Sequence, residues 1–465
     1  MSMSSHRGIR TTILCLLYFA QGFPYGFVLY TLLTVFLDQG YTREQAAIIS
    51  GFSLLPWTFK FLWAPLIDSV RFPAMGLRRP WIVFAQLGMA ITLIANARAG
   101  DLGSLSPGET IEVSSWAAKM FAWVPGAADS ISGNEVSTLV FVAGIFFLHN
   151  AFASLQDVAT DALAVDILEE SERGRVNGFM WGSKLFGITA GTTGGAYLIK
   201  QYDLNFTLQV MAIGVLVIAA CVVAVREREG EKRLPWSKGD AASTHRKALR
   251  SPIVVLSELF RALSKWTTGA AVVLSVITSI SAGIFIPLAS DTFINVFGWN
   301  SLDYTSAMGT WGIGGELCGA LLGGYLCDRL GRRKIAYIGG LGMGIAMIAF
   351  SMLIIDSPDL GNPTWVLPVF KGFVAFQTVA LFSLYMKISW TTAAATQFTL
   401  YMAVSNLGTF LGNEISRIDG LERWTLFMIS GIAALIPLLL IFPPPPLNPD
   451  SIAELRRSEE EEKAS

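Results

Sequence analysis

The sequence predicts an all-α membrane protein of twelve transmembrane helices in two six-helix halves. Three observations predict it. Of 465 residues, 52% are hydrophobic and only 15% charged, against about 25% charged in a soluble domain, and mean hydropathy is +0.52. The charges are bunched between apolar runs of about 20 residues, the length that crosses a ~30 Å hydrocarbon layer. Lysine and arginine also gather in alternate connections, 25 on one side against 6 on the other, with 3 inside the runs. That asymmetry places the basic connections in the cytoplasm.

The apolar windows fall at residues 13–37, 46–67, 81–97, 139–165, 178–199, 206–225, 268–290, 304–327, 335–355, 366–386, 391–413 and 424–442. Each must be helix, because lipid offers no partner to unpaired backbone groups. The first follows Arg7 and Arg10 as a signal peptide would, yet it outruns an h-region and meets no small-residue cleavage site, so it is expected to remain as a helix. With an even number of crossings, both termini are expected in the cytoplasm.

Residues 1–225 form the first half and 267–443 the second. Between them, 226–266 read as a cytoplasmic linker, whose last part alternates apolar and charged residues at helical spacing and fits either an interfacial helix or an extension of the seventh span. Residues 444–465 read as a disordered acidic tail, and the outer loop 100–135 has room for a short surface helix. Cys15, Cys221, Cys318 and Cys327 lie in or at the ends of apolar runs without CxxC spacing or a nearby histidine, so they are expected to be small buried hydrophobes. No metal site or cofactor is expected. A net charge of −1 argues against a nucleic-acid partner. The loops carry no P-loop, GxSxG or HExxH, so the chain is not expected to be an enzyme.

The most specific short motif is Gly324-Tyr-Leu-Cys-Asp328-Arg329-Leu-Gly331-Arg332-Arg333-Lys334, where the eighth window meets the cytoplasm. An aspartate at a helix end holds neighbouring arginines by charge-assisted hydrogen bonds, a latch that must break when two halves rock. A degenerate copy follows the second window, with Asp68 and later Arg79. An internal repeat of six helices follows from the matching positions. The motif fits the G-x-x-x-D-R-x-G-R-R-K loop of the major facilitator superfamily. Helix five carries Gly178, Gly182, Gly187, Gly191 and Gly195, and helix eight carries Gly315, Gly319 and Gly323, spacings that read as close-packing faces.

Ionisable residues inside spans cost about 2.5–3.5 kcal/mol or more at a bilayer centre and persist only with a partner or a task. Lys60, Asp157, Asp161, Lys184, Glu316 and Lys371 qualify. Asp157 and Asp161 share one face of helix four. A proton relay, a clamp on an anionic solute and a fixed salt-bridge lock all fit a carboxylate pair with Lys60 and Lys184 nearby. Glu316 has no evident basic neighbour in its own span and is the best single protonation candidate. His149 reads as a hydrogen-bonded helix contact. Asp291, Glu414 and Lys371 are expected to reach water at outer helix ends.

Four stretches together resemble one family, the AmpG-type muropeptide permeases and their acetyl-CoA transporter relatives. They are Phe19-Ala-Gln21-Gly-Phe-Pro24, Phe59-Lys60-Phe-Leu-Trp63-Ala-Pro65-Leu-Ile-Asp68, Ala153-Ser-Leu-Gln156-Asp157-Val-Ala-Thr-Asp161-Ala162, and Ala395-Thr-Gln397-Phe398. The resemblance implies a facilitator-superfamily fold in the bacterial inner membrane and proton-driven import of N-acetylglucosamine-anhydromuramyl peptides. It carries over to Lys60, Gln156, Asp157, Asp161 and Gln397, and to Lys184 where the family often has arginine. The expected partners are a small-molecule solute, protons and lipid, with the chain acting as a monomer. Efflux of a hydrophobic compound or siderophore, acetyl-CoA transport, and a non-transporting receptor or scaffold are the alternatives; the fifth helix lacks the proline of the antiporter G-P-x-x-G-G signature.

Overall fold

The computed structural model describes residues 2–63, 66–67, 70, 72, 74–98, 107–124, 127, 131–168, 170–237, 266–356, 363–388, 394–418 and 420–441. Among these, every apolar window contains helix, and seven helices are long and apolar enough to cross a membrane. The helices of the twelve windows are, in order, α1 (Arg7–Gly26, then a π-helical stretch Phe27–Leu32 and Leu33–Asp38), α2 (Arg43–Phe52), α3 (Arg79–Ala97), α4 (Thr138–Ile167), α5 (Glu170–Thr189, then π-helical Ala190–Gly194 and Gly195–Gln201) and α6 (Leu204–Ala224). After the linker come α7 (Trp266–Asn295), α8 (Ser301–Ala307, π-helical Met308–Gly312, Ile313–Leu330), α9 (Arg332–Asp356), α10 (Val366–Ile388), α11 (Ala394–Ser416) and α12 (Arg423–Leu435, then Leu438–Ile441). The proposed interfacial helix before α7 and the acidic tail lie outside the described residues.

The second window departs from a single helix. A capping box starts α2, with Gln45 N–H donating to Thr42 Oγ1 and Thr42 N–H to Gln45 Oε1. The helix ends at Phe52, four residues before Pro56, whose ring excludes the carbonyl of that residue from a helical bond. The chain continues as 3₁₀ turns at Leu55–Trp57 and Lys60–Leu62. In the outer loop the short helix Ser115–Met120 is joined by an antiparallel sheet of β1 (Thr110–Glu112), β2 (Ile131–Ser132) and β3 (Glu135–Ser137), ordered β1-β3-β2. Two- and three-residue strands leave too little alternation to be seen in sequence.

The chain divides into two units, Met1–Pro252 with Asn300–Gly309, and Ile253–Trp299 with Thr310–Ser465. Within the first, α1 packs on α5, and α3 on both α4 and α6; within the second, α7 packs on α11, and α9 on both α10 and α12. The turns that continue α2 pack on α4 as α8 packs on α10. Each unit thus carries the same helix-pairing scheme.

Glycines let several of these pairs meet backbone to backbone, among them α7 and α11 through Gly283, Gly408 and Gly412. On α5, Gly187 and Gly191 lie against the main chain of Phe19 and Phe23, and on α1, Gly22 and Gly26 face Lys184 and Ile188. On α8, Gly315 and Gly319 lie against Pro368 and Gly372 of α10. A methyl group at any of these places would overlap backbone, so van der Waals packing, the main attraction between helices in lipid, depends on its absence. Only Cys327 of the four cysteines is buried; Cys15 and Cys221 are half-buried and Cys318 is exposed. The expectation of burial fails because an apolar position on a bilayer helix can face lipid as readily as protein.

Residues 226–237 are not a free linker. Met3 N–H donates to Arg226 O, Ser4 N–H to Glu227 O and Lys232 N–H to Ala74 O. Gly76, at φ 104°, brings the backbone against the Glu231 carboxylate where no side chain fits. This segment is part of the first unit.

Candidate functional site

One group of buried charges in the first unit gathers around α4. Lys60, carried on the 3₁₀ turn after α2, places Nζ 3.0 Å from Asp157 Oδ2, and both residues are 4% exposed. The turn is held to α4 on both sides of Lys60, because Trp57 Nε1 donates to Asn150 Oδ1 at 2.8 Å and Trp63 Nε1 to Ser154 Oγ at 2.9 Å. One helical turn beyond Asp157, Asp161 has a different partner: the Tyr18 hydroxyl of α1 donates to its Oδ1 at 2.5 Å. Gln156 donates from Nε2 to Leu17 O at 2.9 Å, tying α4 to the same stretch of α1, and buried Gln21 lies within reach of Asp157.

Lys184 of α5 completes the cluster through aromatic faces. Its Nζ stands 5.2 Å from the Trp57 ring, 5.5 Å from Trp181 and 5.9 Å from Tyr18. Cation–π attraction of this kind is worth about 0.5–2 kcal/mol per ring and leaves the ammonium donors able to turn. The sequence reading had singled out Lys60, Asp157, Asp161, Lys184, Gln21 and Gln156, and the structure gathers all six. It had missed Tyr18, Trp57 and Trp181. Tyr18 and Trp181 each stand three residues before a chosen polar residue of their own helix, Gln21 and Lys184, the spacing that puts two side chains on one helix face, whereas Trp57 reaches Lys184 from the 3₁₀ turn that interrupts the second span.

The two carboxylates are chemically unequal. Protonating Asp157 would strand the buried Lys60 ammonium, at a cost of several kcal/mol for an unpaired buried charge. Protonating Asp161 breaks no direct ion pair: its hydrogen bond is from a neutral phenol, which can reverse direction to accept from the new carboxyl proton, and what is lost is its longer-range attraction to Lys60 and Lys184.

In the second unit Glu316 of α8 has a partner the sequence did not reveal. Lys371 Nζ lies 2.5 Å from its Oε2, where Gly315 and Gly372 bring α8 and α10 together. Lys371 therefore does not simply reach water. Nor does Asp291, which is buried and receives the Arg423 guanidinium; Glu414 pairs with Arg417 at 2.7 Å. His149 Nδ1 lies 3.0 Å from Thr92 Oγ1 and 3.2 Å from Met89 O, a helix-to-helix contact between α4 and α3. Gln397 falls in the first turn of α11, with its side chain outside the described residues.

Of the residues chosen as a latch, Asp68 and the side chain of Asp328 lie outside the described residues. Arg329 is exposed, its guanidinium 4.4 Å from the Tyr325 ring, and Arg332 opens α9 beyond Gly331, whose φ of 91° breaks the helix. Arg79 is fully buried. It donates to Val222 O and Val223 O at the end of α6, to Met75 O and to Lys232 O, with Glu231 at 3.8 Å. A cation there satisfies the unpaired carbonyls and the negative pole of α6. Among the described residues no group of histidine, cysteine and carboxylate side chains is placed to hold a metal.

The Major Facilitator Superfamily profile matches residues 14–413. The anhydromuropeptide permease of Escherichia coli K12 is 24% identical over 442 residues, covering 93% of this chain and 79% of the permease. A putative transporter of Rickettsia conorii, AmpG 4, is 21% identical, covering 89% and 91%. Among solved structures, a D-xylose-proton symporter superposes with a TM-score of 0.66 at 14% identity, covering 96% and 99%, and the inward open xylose transporter XylE of E. coli with 0.63, covering 93% and 95%. At that identity the solved structures speak for the fold.

Proposed function

The chain belongs to the Major Facilitator Superfamily and is an integral membrane transporter of a small-molecule solute; on that premise we propose that it imports anhydromuropeptides with protons, from the periplasm to the cytoplasm across the bacterial inner membrane, as a monomer with both termini inside. The unequal partners of Asp157 and Asp161 carry the reading. A carboxylate in direct contact with Lys60 and another hydrogen-bonded by a phenol, one turn apart, divide the work: Asp157 anchors the broken second span, and Asp161 takes up and gives back a proton without breaking a direct ion pair. Lys184, set among three ring faces and in charge attraction with Asp157 and Asp161, is the cation for a solute carboxylate. The relatives named as muropeptide permease and AmpG transporter support the cargo, and the basic asymmetry of the loops supports the orientation. Asp328, Arg329 and Arg332, with Asp68, act as the cytoplasmic latch.

The test is uptake by purified protein in proteoliposomes, with and without an inward proton gradient, against anhydromuropeptides, acetyl-CoA and hydrophobic dyes. Gradient-stimulated accumulation of N-acetylglucosaminyl-anhydromuramyl tripeptide is expected. Accumulation of acetyl-CoA or extrusion of dyes in its place would replace the cargo, and uptake indifferent to the gradient would remove the proton.

A further inference from the structure

Resting on the membrane-spanning fold but on neither cargo nor proton, we propose that residues 226–237 are a lipid-surface element, in which Arg226, Lys232 and Arg233 meet the phosphates of anionic lipids and Leu234 and Trp236 enter the headgroup layer. The height of the segment is set by one side chain. Buried Arg79 donates to Val222 O at 3.2 Å and to Val223 O at 3.0 Å, in the last turn of α6, and to Lys232 O at 3.1 Å. Lys232 N–H is held in turn by Ala74 O at 2.8 Å. The Lys232 backbone therefore lies within the span of a single guanidinium from the end of a helix long and apolar enough to cross the membrane. Having left α6 at Ala224, the chain stays beside the helix end instead of running out into solvent.

Docking also sorts the charges. Residues 226–233 hold four basic and three acidic side chains, close to balance as a sequence. Glu227 and Glu231 are turned inward and buried. Glu227 Oε2 accepts from Arg78 N–H at 3.2 Å, just before α3, and Glu231 Oε2 accepts from the N–H groups of Glu227 and Arg228, each at 3.1 Å. Arg226, Lys232 and Arg233 stay exposed, with Glu229 as the exposed acid. The outward face is thus cationic, three charges against one. A surface of anionic phosphates complements it, and attracts each nearby lysine or arginine by about fivefold.

The apolar side chains give an independent indication. Leu234 to Ser237 form a turn closed by Ser237 N–H donating to Leu234 O at 3.2 Å, and Pro235 presets its backbone. That turn presents Trp236 at 77% exposure, beside exposed Leu234 and directly after the two cations Lys232 and Arg233. Tryptophan beside lysine and arginine is the composition of the headgroup layer, where the amphipathic ring keeps its body among apolar groups and its N–H in water. Backbone level, charge and aromatic placement all select a lipid surface as the occupant.

The experiment is hydrogen exchange, read by mass spectrometry, on the full-length protein in nanodiscs of phosphatidylcholine alone and of phosphatidylcholine mixed equally with phosphatidylglycerol. Peptides covering 233–237 should exchange at least fivefold more slowly in the anionic mixture, the effect of one cation at such a surface. Raised salt should erase the difference by screening. The double variant Lys232→Gln with Arg233→Gln should lose most of the slowing, Trp236→Ala part of it, and Glu229→Gln, which removes the exposed acid, should deepen it. All four positions are exposed, so these variants should melt as wild type does. Exchange in wild type indifferent to lipid charge would overturn the element and show that protein or water covers this face. A slowing that survives the double variant would overturn it as well. Failure to carry anhydromuropeptides, or indifference of uptake to a proton gradient, would sink the proposed function and leave this measurement intact, since it needs neither solute nor gradient.

Discussion

Lys371 Nζ contacts Glu316 Oε2 at 2.5 Å across the tightest approach of α8 and α10, so the carboxylate that looked solitary in its own span is neutralised by the neighbouring one. Glu316→Gln should lower thermal stability by about 1–3 kcal/mol, because the lysine loses its carboxylate contact in a site only partly open to solvent. The double variant with Lys371→Gln should recover most of that loss. Thermal melts of the two single variants and the double one decide it, and strictly additive losses would show that the residues do not depend on each other.

Asp157→Asn and Asp161→Asn should part company. The first orphans Lys60 and should cost about 3–5 kcal/mol, seen as poor recovery of folded protein. The second keeps an acceptor for Tyr18, so it should fold, lose gradient-driven accumulation and retain counterflow exchange, which needs no net proton movement. Normal accumulation by well-folded Asp161→Asn would remove it from the proton path.

Arg79→Met should free residues 226–237 from the first unit. The substitution deletes bonds to carbonyls of Val222, Val223, Met75 and Lys232, and buried acceptors left unpaired cost about 1–3 kcal/mol each. Limited proteolysis should cut this segment many times faster than in wild type; an unchanged digestion pattern would show that the docking has other anchors.

Stability should fall as pH rises towards neutrality, through Glu231. Burial, and next the neighbouring Glu227 carboxylate, push its pKa up from the ordinary 4.5 to about 7, against the opposing pull of Arg79 and the amides of Glu227 and Arg228. The folded state thus holds a proton that the unfolded chain releases near 4.5, so the contribution is whole below that pH and is lost as pH climbs through 7. Glu231→Gln should flatten the slope in this window by about 1–2 kcal/mol, read from denaturation midpoints.

Helix number and the membership of the charged cluster were legible because apolar length, basic asymmetry and i, i+4 spacing are local properties of the chain. What was not legible is pairing. Nothing near Glu316 announces Lys371, 55 residues away, and nothing near Asp291 announces Arg423. Glycines that permit backbone contact are visible as spacings, but which helix they admit is settled by the other helix. The end of α2 was readable in principle from Pro56; a continuous apolar run concealed it.

That interruption frees Lys60 from helical register. Adding or deleting one residue in an unbroken helix turns everything beyond it by about 100°. In single 3₁₀ turns pinned by Trp57 and Trp63, the same change is absorbed between the pins. The cation opposite Asp157 is therefore placed by two indole contacts to α4 and not by the phase of the helix that begins at Arg43.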